Sequence, residues 1–367
     1  MARKKIKVGI LLGGKSAEHE VSLLSAKNII EAIDRDKYTP VLIGIDKSGK
    51  WLLQDPANYL LNTTDPKLIR LNSSGRRVAL VPQNEGRLTS LQDQPDPGSI
   101  DVVFPVLHGP FGEDGALQGL LKMADIPFVG AGVLGSAVGM DKDIMKRLLR
   151  DARIPGAKFI DASSHAGVPA YAAVVAAVGE PFFVKPANLG SSVGVSKVHD
   201  PSEYKRSVAQ AFAYDNKILF EEYIRGREIE CSVLGNDEPI ASVPGEIIPR
   251  HEFYSYDAKY LDEQGAALEV PARLPEEMVT TVQRLAIAAF KALACEGMAR
   301  VDFFLRENNE ILVNEINTIP GFTSISMYPR LWQASGITYT DLIDRLIQLA
   351  FERFEKERRL QTTYAAD

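Results

Sequence analysis

Met298-Ala-Arg-Val-Asp-Phe-Phe-Leu305, the polar turn Glu307-Asn-Asn309, Ile311-Leu-Val-Asn-Glu-Ile-Asn317 and Thr318-Ile-Pro-Gly321 form one continuous stretch that reads as two strands and two turns. Strand side chains alternate faces, so Arg300 and Asp302 share one face of the first strand, and Glu315 and Asn317 share one face of the second. Two carboxylates and an amide oxygen brought together make a hard-oxygen set suited to Mg²⁺, which keeps its remaining positions for water and phosphate. The same pattern also describes a hairpin with one solvated face. On these residues alone both readings stand.

The whole chain limits the choices. Its 367 residues, 45% hydrophobic and 25% charged, are enough for two or three soluble domains with buried cores. With 42 basic against 48 acidic residues and a net charge of −6, no global positive field recruits nucleic acid. Cys231 and Cys295 are the only cysteines, which excludes a disulfide framework and fits a reducing, cytoplasmic setting. No apolar run approaches the ~18 residues of a membrane span. The basic start Arg3-Lys-Lys5 resembles a signal peptide, but the apolar run after it is short and broken by Lys7, and reads better as a first strand.

Val8–Leu12, the turn Gly13-Gly14 and the helical period of Val21, Leu24, Ile29 and Ile33, with Ser16 as cap, give the strand, glycine turn and helix of a doubly wound α/β domain. The third glycine of the dinucleotide fingerprint is missing. Glu18 falls in the first helical turn, either as a partner of the helix dipole or as a grip for a cationic amine. Residues 55–98 read as an ornamented surface insertion. Asp101–Leu107 is another strand, running into His108-Gly-Pro-Phe-Gly-Glu-Asp-Gly115 and a helix from Ala116 to Met123. His108 there is a local hydrogen-bonding group or a substrate contact. Gly130–Gly139 reads as a domain joint before the helix opened by Met140-Asp-Lys142.

Lys185-Pro-Ala-Asn-Leu-Gly-Ser-Ser-Val-Gly194 is a glycine and serine loop with a lysine at its entrance. It fits an anion-binding lid or a plain hairpin, and it is not a Walker A loop. Pro201 starts a helix ending near Ala213. Ile218-Leu-Phe-Glu-Glu-Tyr-Ile224 ends a strand in acids, a hinge for adenine and ribose or a solvated strand end. Pro249–Gln264, carrying Lys259 and Tyr260, is long enough to be a cover. Pro275–Ala294 and Thr340–Phe351 read as helices.

No single motif decides, but their order does. Gly13-Gly-Lys-Ser-Ala-Glu-His-Glu-Val-Ser22, His108–Gly115, Met140-Asp-Lys142, Lys185–Gly194, Ala258-Lys-Tyr260, Ala299-Arg-Val-Asp302 and Asn314-Glu-Ile-Asn-Thr-Ile-Pro-Gly-Phe-Thr-Ser324 together resemble the D-alanine:D-alanine ligases of the ATP-grasp superfamily, from about residue 6 to 350. The resemblance implies an α/β (α+β) ATP-grasp fold behind a Rossmann-like amino-terminal domain. Its expected limits are 1–137 for that domain, 138–222 for a central lobe and 223–367 for a carboxyl-terminal lobe. It implies ATP-dependent joining of two D-alanines through an acyl phosphate for peptidoglycan synthesis, with D-lactate or D-serine as alternative acceptors and a non-catalytic nucleotide-binding protein as the rival of another class. It also implies two Mg²⁺, replaceable by Mn²⁺, and a homodimer. By the same resemblance Lys142, Lys185 and Ser192 contact ATP phosphates, Glu221, Glu222, Tyr223, Ile224 and Glu228 hold adenine and ribose, and Asp302, Glu315 and Asn317 ligate the metals. Glu18 holds the first amine, Glu18, Ser191 and Tyr260 form a closing trio, and Arg300 and the Gly321 amide are oxyanion donors. Ser326, Met327, His108 and Lys259 contact the amino acids. Glu222 departs from the lysine of many relatives, which leaves its backbone as the adenine contact.

Overall fold

The computed structural model describes residues 4–62, 68–82, 86–249 and 266–363. Among the described residues three large sheets follow one another along the chain, beside a two-stranded ribbon of Leu60–Leu61 and Arg70–Leu71. In the first, the strand Ile6–Gly13 lies parallel between Tyr38–Ile45 and Val102–Val106. Its Val8, Ile10, Leu11 and Leu12 are fully buried, as a strand covered on both faces requires. The helix after it runs His19–Ala32. Ser16 is not its cap: the hydroxyl accepts the Glu18 amide at 3.0 Å in the turn before the helix.

Residues 55–98 are more than ornament. Trp51–Gln54, Arg76–Leu80, Arg87–Ser90 and Gly98–Ser99 continue the first sheet outward to seven strands, and Val78, Leu80 and Leu88 are buried on it. These short runs alternate too little to show their partner, which lies far away in sequence, as in Leu52 opposite Arg77.

The second sheet is antiparallel, ordered Phe159–Ser163, Lys217–Glu222, Phe182–Pro186, Ser196–Val198. Helices Tyr171–Val178 and Pro201–Phe212 pack on it around Phe182, Val184 and Phe220. The Asp200 carboxylate caps the second helix, accepting the Ser202 amide at 2.7 Å. The third sheet has six strands, with Gly226–Gly235, Gly297–Arg306 and Ile311–Asn317 adjacent. The helix Glu276–Ala292 covers one face of it.

Two helices pack away from their neighbours in sequence. The helix Lys142–Asp151 places Met145 and Leu149 in the core of the third sheet, not of the second. The closing helix Tyr339–Arg358 shares one core with the first sheet, in which Leu346 and Ile347 meet Val8, Ile10 and Phe104. The expected joint at Gly130–Gly139 is also mostly a helix, Val133–Met140. Its glycines serve close packing: a Cβ on Gly135 would lie 2.5 Å from the Ala294 carbonyl oxygen.

Candidate active site

The hairpin Gly297–Arg306/Ile311–Asn317 carries the centre of the site. Asp302 stands opposite Glu315 and Arg300 opposite Asn317, so all four side chains share one face. A β-bulge makes this possible. From the turn to Phe303, which pairs with Val313, the register would set Asp302 against Asn314 and Arg300 against the apolar Ile316; the bulge leaves Asn314 unpaired and advances the strand by one residue.

The Arg300 guanidinium grips Asp302 with two bonds of 2.7 Å, from Nε to Oδ1 and Nη2 to Oδ2, and lies 2.9 Å from Glu230 Oε2 on the neighbouring strand. Asn317 Nδ2 donates to Asp302 Oδ2 at 3.2 Å. Lys142 Nζ lies 3.7 Å from Glu315 Oε2. Among the described residues no group of three His, Cys, Asp or Glu side chains has metal-binding geometry. The donors that this face does offer, two carboxylates and one amide oxygen, are the hard-oxygen type that Mg²⁺ and Mn²⁺ take.

A cavity of about 360 Å³ opens on this face, between the hairpin, the first sheet's turns and the 190–191 loop. Glu18, His108, Ser191, Glu228, Arg300, Asp302, Glu315, Asn317, Gly321, Ser326 and Met327 all line it. Five carboxylates (Glu18, Glu228, Glu230, Asp302, Glu315) and the buried carboxyl of Glu113 face two guanidinium groups (Arg300, Arg330) among the described lining residues. Such a wall favours cations, whether metal or ammonium.

On the opposite side the Ser191 hydroxyl donates to Glu18 Oε1, which fastens the loop across the cavity. Ser191 and Ser192 both hold left-handed backbone, with φ of 52° and 59°, a conformation that costs ~1–2 kcal/mol per residue. Gly109, at φ 76°, lets the chain pass Glu18: an added Cβ would sit 2.9 Å from Oε2. Burial pushes the His108 pKa down. The neutral ring's Nδ1 lies 3.0 Å from the Ile319 carbonyl and its Nε2 lies 3.4 Å from the Ser25 hydroxyl. Ser25 Oγ in turn accepts the Phe322 amide at 3.1 Å. His108 thus links the first sheet to the 319–322 turn. Ser326 Oγ accepts the Thr323 amide at 3.0 Å and stands at the start of the helix Met327–Ala334, whose Met327 and Arg330 line the cavity.

The nucleotide residues divide. Lys142 Nζ donates to the Leu189 carbonyl at 2.6 Å, beneath the loop. Lys185 Nζ donates to Glu221 Oε1 at 2.5 Å. Glu221 is 1% exposed with Lys146 2.7 Å from its other oxygen, so its carboxylate holds lysines and does not face a ligand slot. The Glu222 carboxylate is equally engaged, accepting the Lys158 amide at 2.8 Å and Arg306 Nη2 at 3.0 Å. The Ile224 side chain is buried against Ala157 and Leu312. From these three residues only backbone groups are left to meet a base. Tyr223 is exposed, with Lys197 Nζ 4.0 Å from its ring centre. Ser192 lies beside Ser191 in the loop. Lys259 and Tyr260 lie outside the described residues.

A family model described as the D-ala D-ala ligase N-terminus matches residues 7–131, and one described as the D-ala D-ala ligase C-terminus matches residues 148–348. The chain belongs to the D-alanine–D-alanine ligase family. It is 54% identical over 361 residues to the D-alanine--D-alanine ligase of Oceanobacillus iheyensis, covering 98% of this chain and 99% of that protein. It is also 54% identical over 363 residues to D-alanine--D-alanine ligase A of Escherichia coli K12, covering 98% and 100%. The solved D-alanine-D-alanine ligase of Coxiella burnetii superposes with a TM-score of 0.85 at 40% identity, over 97% of both chains. The VanG D-Ala:D-Ser ligase of Enterococcus faecalis gives 0.83 at 36%, over 95% of this chain and 100% of that one. The ATP-grasp fold expected from the motifs is therefore the fold of this ligase-family chain.

Three charged residues of the site escaped the motif reading. Glu230 was signalled by its spacing of two from Glu228 on one strand, which puts both on one face. Glu113 sits inside the quoted His108–Gly115 run; its Oε2 accepts the Gly109 amide at 2.6 Å. Lys146 follows Lys142 by one helical turn, and only the burial of its side chain sets it apart.

Proposed function

We propose that this cavity joins two D-alanines at the expense of ATP, yielding D-alanyl-D-alanine for peptidoglycan, ADP and phosphate. The observation that carries the reading is the bulged hairpin: it sets Arg300, Asp302, Glu315 and Asn317 on one face, lining the same cavity as Glu18 and Ser191. The curated relatives named as D-alanine–D-alanine ligases at 54% identity over nearly the whole chain favour D-alanine over D-lactate or D-serine as acceptor.

The reaction makes several demands on the chain. Glu18 holds the ammonium of the first D-alanine, so its carboxylate points toward the nucleotide. Lys142 and Lys185 neutralise the phosphate tail, with Ser192 and the loop amides, while Asp302, Glu315 and Asn317 are the residues that would hold two Mg²⁺. When bound, those ions spread and offset the charge of the transferring phosphoryl group. Adenine and ribose lie along the backbone of Glu221–Ile224 and on Glu228. The amine of the second D-alanine, whose carboxylate rests on Ser326 and the amides at Met327, attacks the acyl phosphate. Negative charge then grows on the acyl oxygen beside Arg300 and the Gly321 amide, and a single donor of this kind is typically worth ~3 kcal/mol. Water would hydrolyse the acyl phosphate, and the Ser191–Glu18 contact gives the loop a way to exclude it.

The linear organisation we propose is a substrate domain over 1–137 and two nucleotide-clamping lobes beyond it, working as a homodimer. The test is product identification by mass after incubation with ATP, Mg²⁺ and a mixture of D-alanine, D-serine and D-lactate. D-alanyl-D-alanine as the main product is expected at neutral pH. An ester or mixed dipeptide as main product would replace D-alanine as acceptor, and absence of ADP release would overturn the ligase reading itself.

A further inference from the structure

Lys146 is a buried lysine at the edge of the site that the proposed reaction does not use. Its side chain is 4% exposed, on the helix Lys142–Asp151, and it makes two contacts that lead to opposite sides of the site. Nζ lies 2.7 Å from Glu221 Oε2, and Glu221 Oε1 accepts Lys185 at 2.5 Å. Nζ also donates to the Asn314 carbonyl at 3.2 Å, at the bulge residue next to Glu315. One carboxylate thus lies between two lysine amines; burial pushes the Lys146 pKa down and the Glu221 charge opposes that. Burial alone would push the Glu221 pKa up, but Lys146 and Lys185 overcome it and hold it down to about 2.

We infer that Lys146 is a positioning residue for phosphoryl transfer, fixing Lys185 through Glu221 and the Glu315 strand through the Asn314 carbonyl. Each of its two contacts ends one step from a group that faces the nucleotide's phosphates in the proposed reaction, on which this inference rests. Stability is a poor rationale for the cluster, since a buried ion triad can be replaced by apolar side chains with little loss or even a gain. Geometry is the better one. Lys185 sits on a strand of the second sheet and Glu315 on a strand of the third. A lysine amine that touches both sets the gap into which the triphosphate fits, and a misplacement of about 1 Å there can lower a rate roughly a hundredfold.

The test compares wild type with Lys146→Met, which keeps the length and most of the volume, and with the double variant Lys146→Met/Glu221→Met, which removes the buried charges in pairs. Calorimetry measures the affinity for adenosine and for an ATP analogue with an uncleavable β–γ link, beside steady-state kinetics. Expected for Lys146→Met are unchanged adenosine affinity, about tenfold weaker analogue binding, equivalent to ~1.4 kcal/mol, and a kcat lower by roughly a hundredfold with the KM for D-alanine unmoved. The double variant should lose no more than the single one in the ratio of analogue to adenosine affinity, because both changes release the same lysine. Should Lys146→Met fail to fold, that same ratio in the double variant decides. Equal loss for adenosine and analogue, or a folded variant with unaltered analogue affinity and kcat, overturns the inference and leaves Lys146 as packing. A wild-type chain that releases no ADP with D-alanine overturns both this inference and the ligase reading, whereas wild-type turnover with an unaffected Lys146→Met overturns this one alone.

Discussion

Glu113 shows how much a single carboxyl can depend on its surroundings. Burial raises its pKa to about 8, and the charge of Glu18 adds to the rise against the opposing bond from the Gly109 amide. In the unfolded chain the group titrates near its ordinary 4.5. Between those two values the folded form holds a proton that the unfolded form has released, so stability falls as the pH climbs from about 4.5 through 8 and is level above that. Glu113→Gln keeps the neutral state at every pH. It should melt with wild type near pH 5 and above wild type at pH 9. A gap in melting temperature that stays constant across that range would show that Glu113 does not titrate as its burial demands. The two cysteines behave in the opposite sense functionally: Cys231 and Cys295 are buried, with thiol pKa values pushed up to about 12, and are inert.

At the scale of the elements, the helix Lys142–Asp151 carries both Lys142 and Lys146, and its start is fixed by Asp141. That carboxylate accepts the amides of Asp143 and Ile144 at 3.1 Å and pairs with Lys217 of the second sheet at 2.6 Å. Asp141→Ala should cost about 1 kcal/mol in urea unfolding from the lost cap, and Asp141→Asn distinctly less, because asparagine caps nearly as well; equal losses would assign the effect to the Lys217 pair instead. Elements of this kind were legible in the sequence. Apolar period, Pro201 and the Ala116–Met123 spacing placed helices within a residue or two, and the strands of the hairpin were placed from alternation alone. What alternation could not show was the bulge at Asn314, since the same seven residues fit a ladder with Glu315 and Asn317 turned away. Only the ordered set of motifs pointed to a shared site. The helix Val133–Met140 was hidden for a different reason: Gly135 and Gly139 weaken helix propensity but allow the close approach to Ala294 and Thr318 that holds the helix in place. The helix Met327–Ala334 was missed because Pro329 within it argues against helix, although in the first turn proline is tolerated.

The whole molecule is tied together by its carboxyl end. The helix Tyr339–Arg358 follows the third sheet in sequence but packs on the first, with Leu342, Ile343, Leu346 and Ile347 fully buried beside Val8, Ile10 and Phe104. Arg353, 5% exposed, donates to the Phe128 carbonyl at 2.7 Å and to that of Gly130, and stacks 4.3 Å from the Phe128 ring centre. Tyr38 on the first sheet donates to Asp344 at 2.6 Å. A single core thus spans the wall that holds Glu18 and His108 and the elements that follow the 318–327 turn, which fixes the width of the cavity between them. Leu346→Ala leaves a void in that shared core and should lower stability by about 2–5 kcal/mol. Because both sides lose the same contacts, the loss should appear at once in probes of each: Trp51 fluorescence for the first sheet and Trp332 fluorescence for the carboxyl-terminal side, each read in a variant whose other tryptophan is replaced by phenylalanine. Coincident urea midpoints that shift together are expected. A shift confined to the Trp332 signal would mean that the closing helix unfolds without the first sheet, and that the cavity walls are held apart by something other than this core.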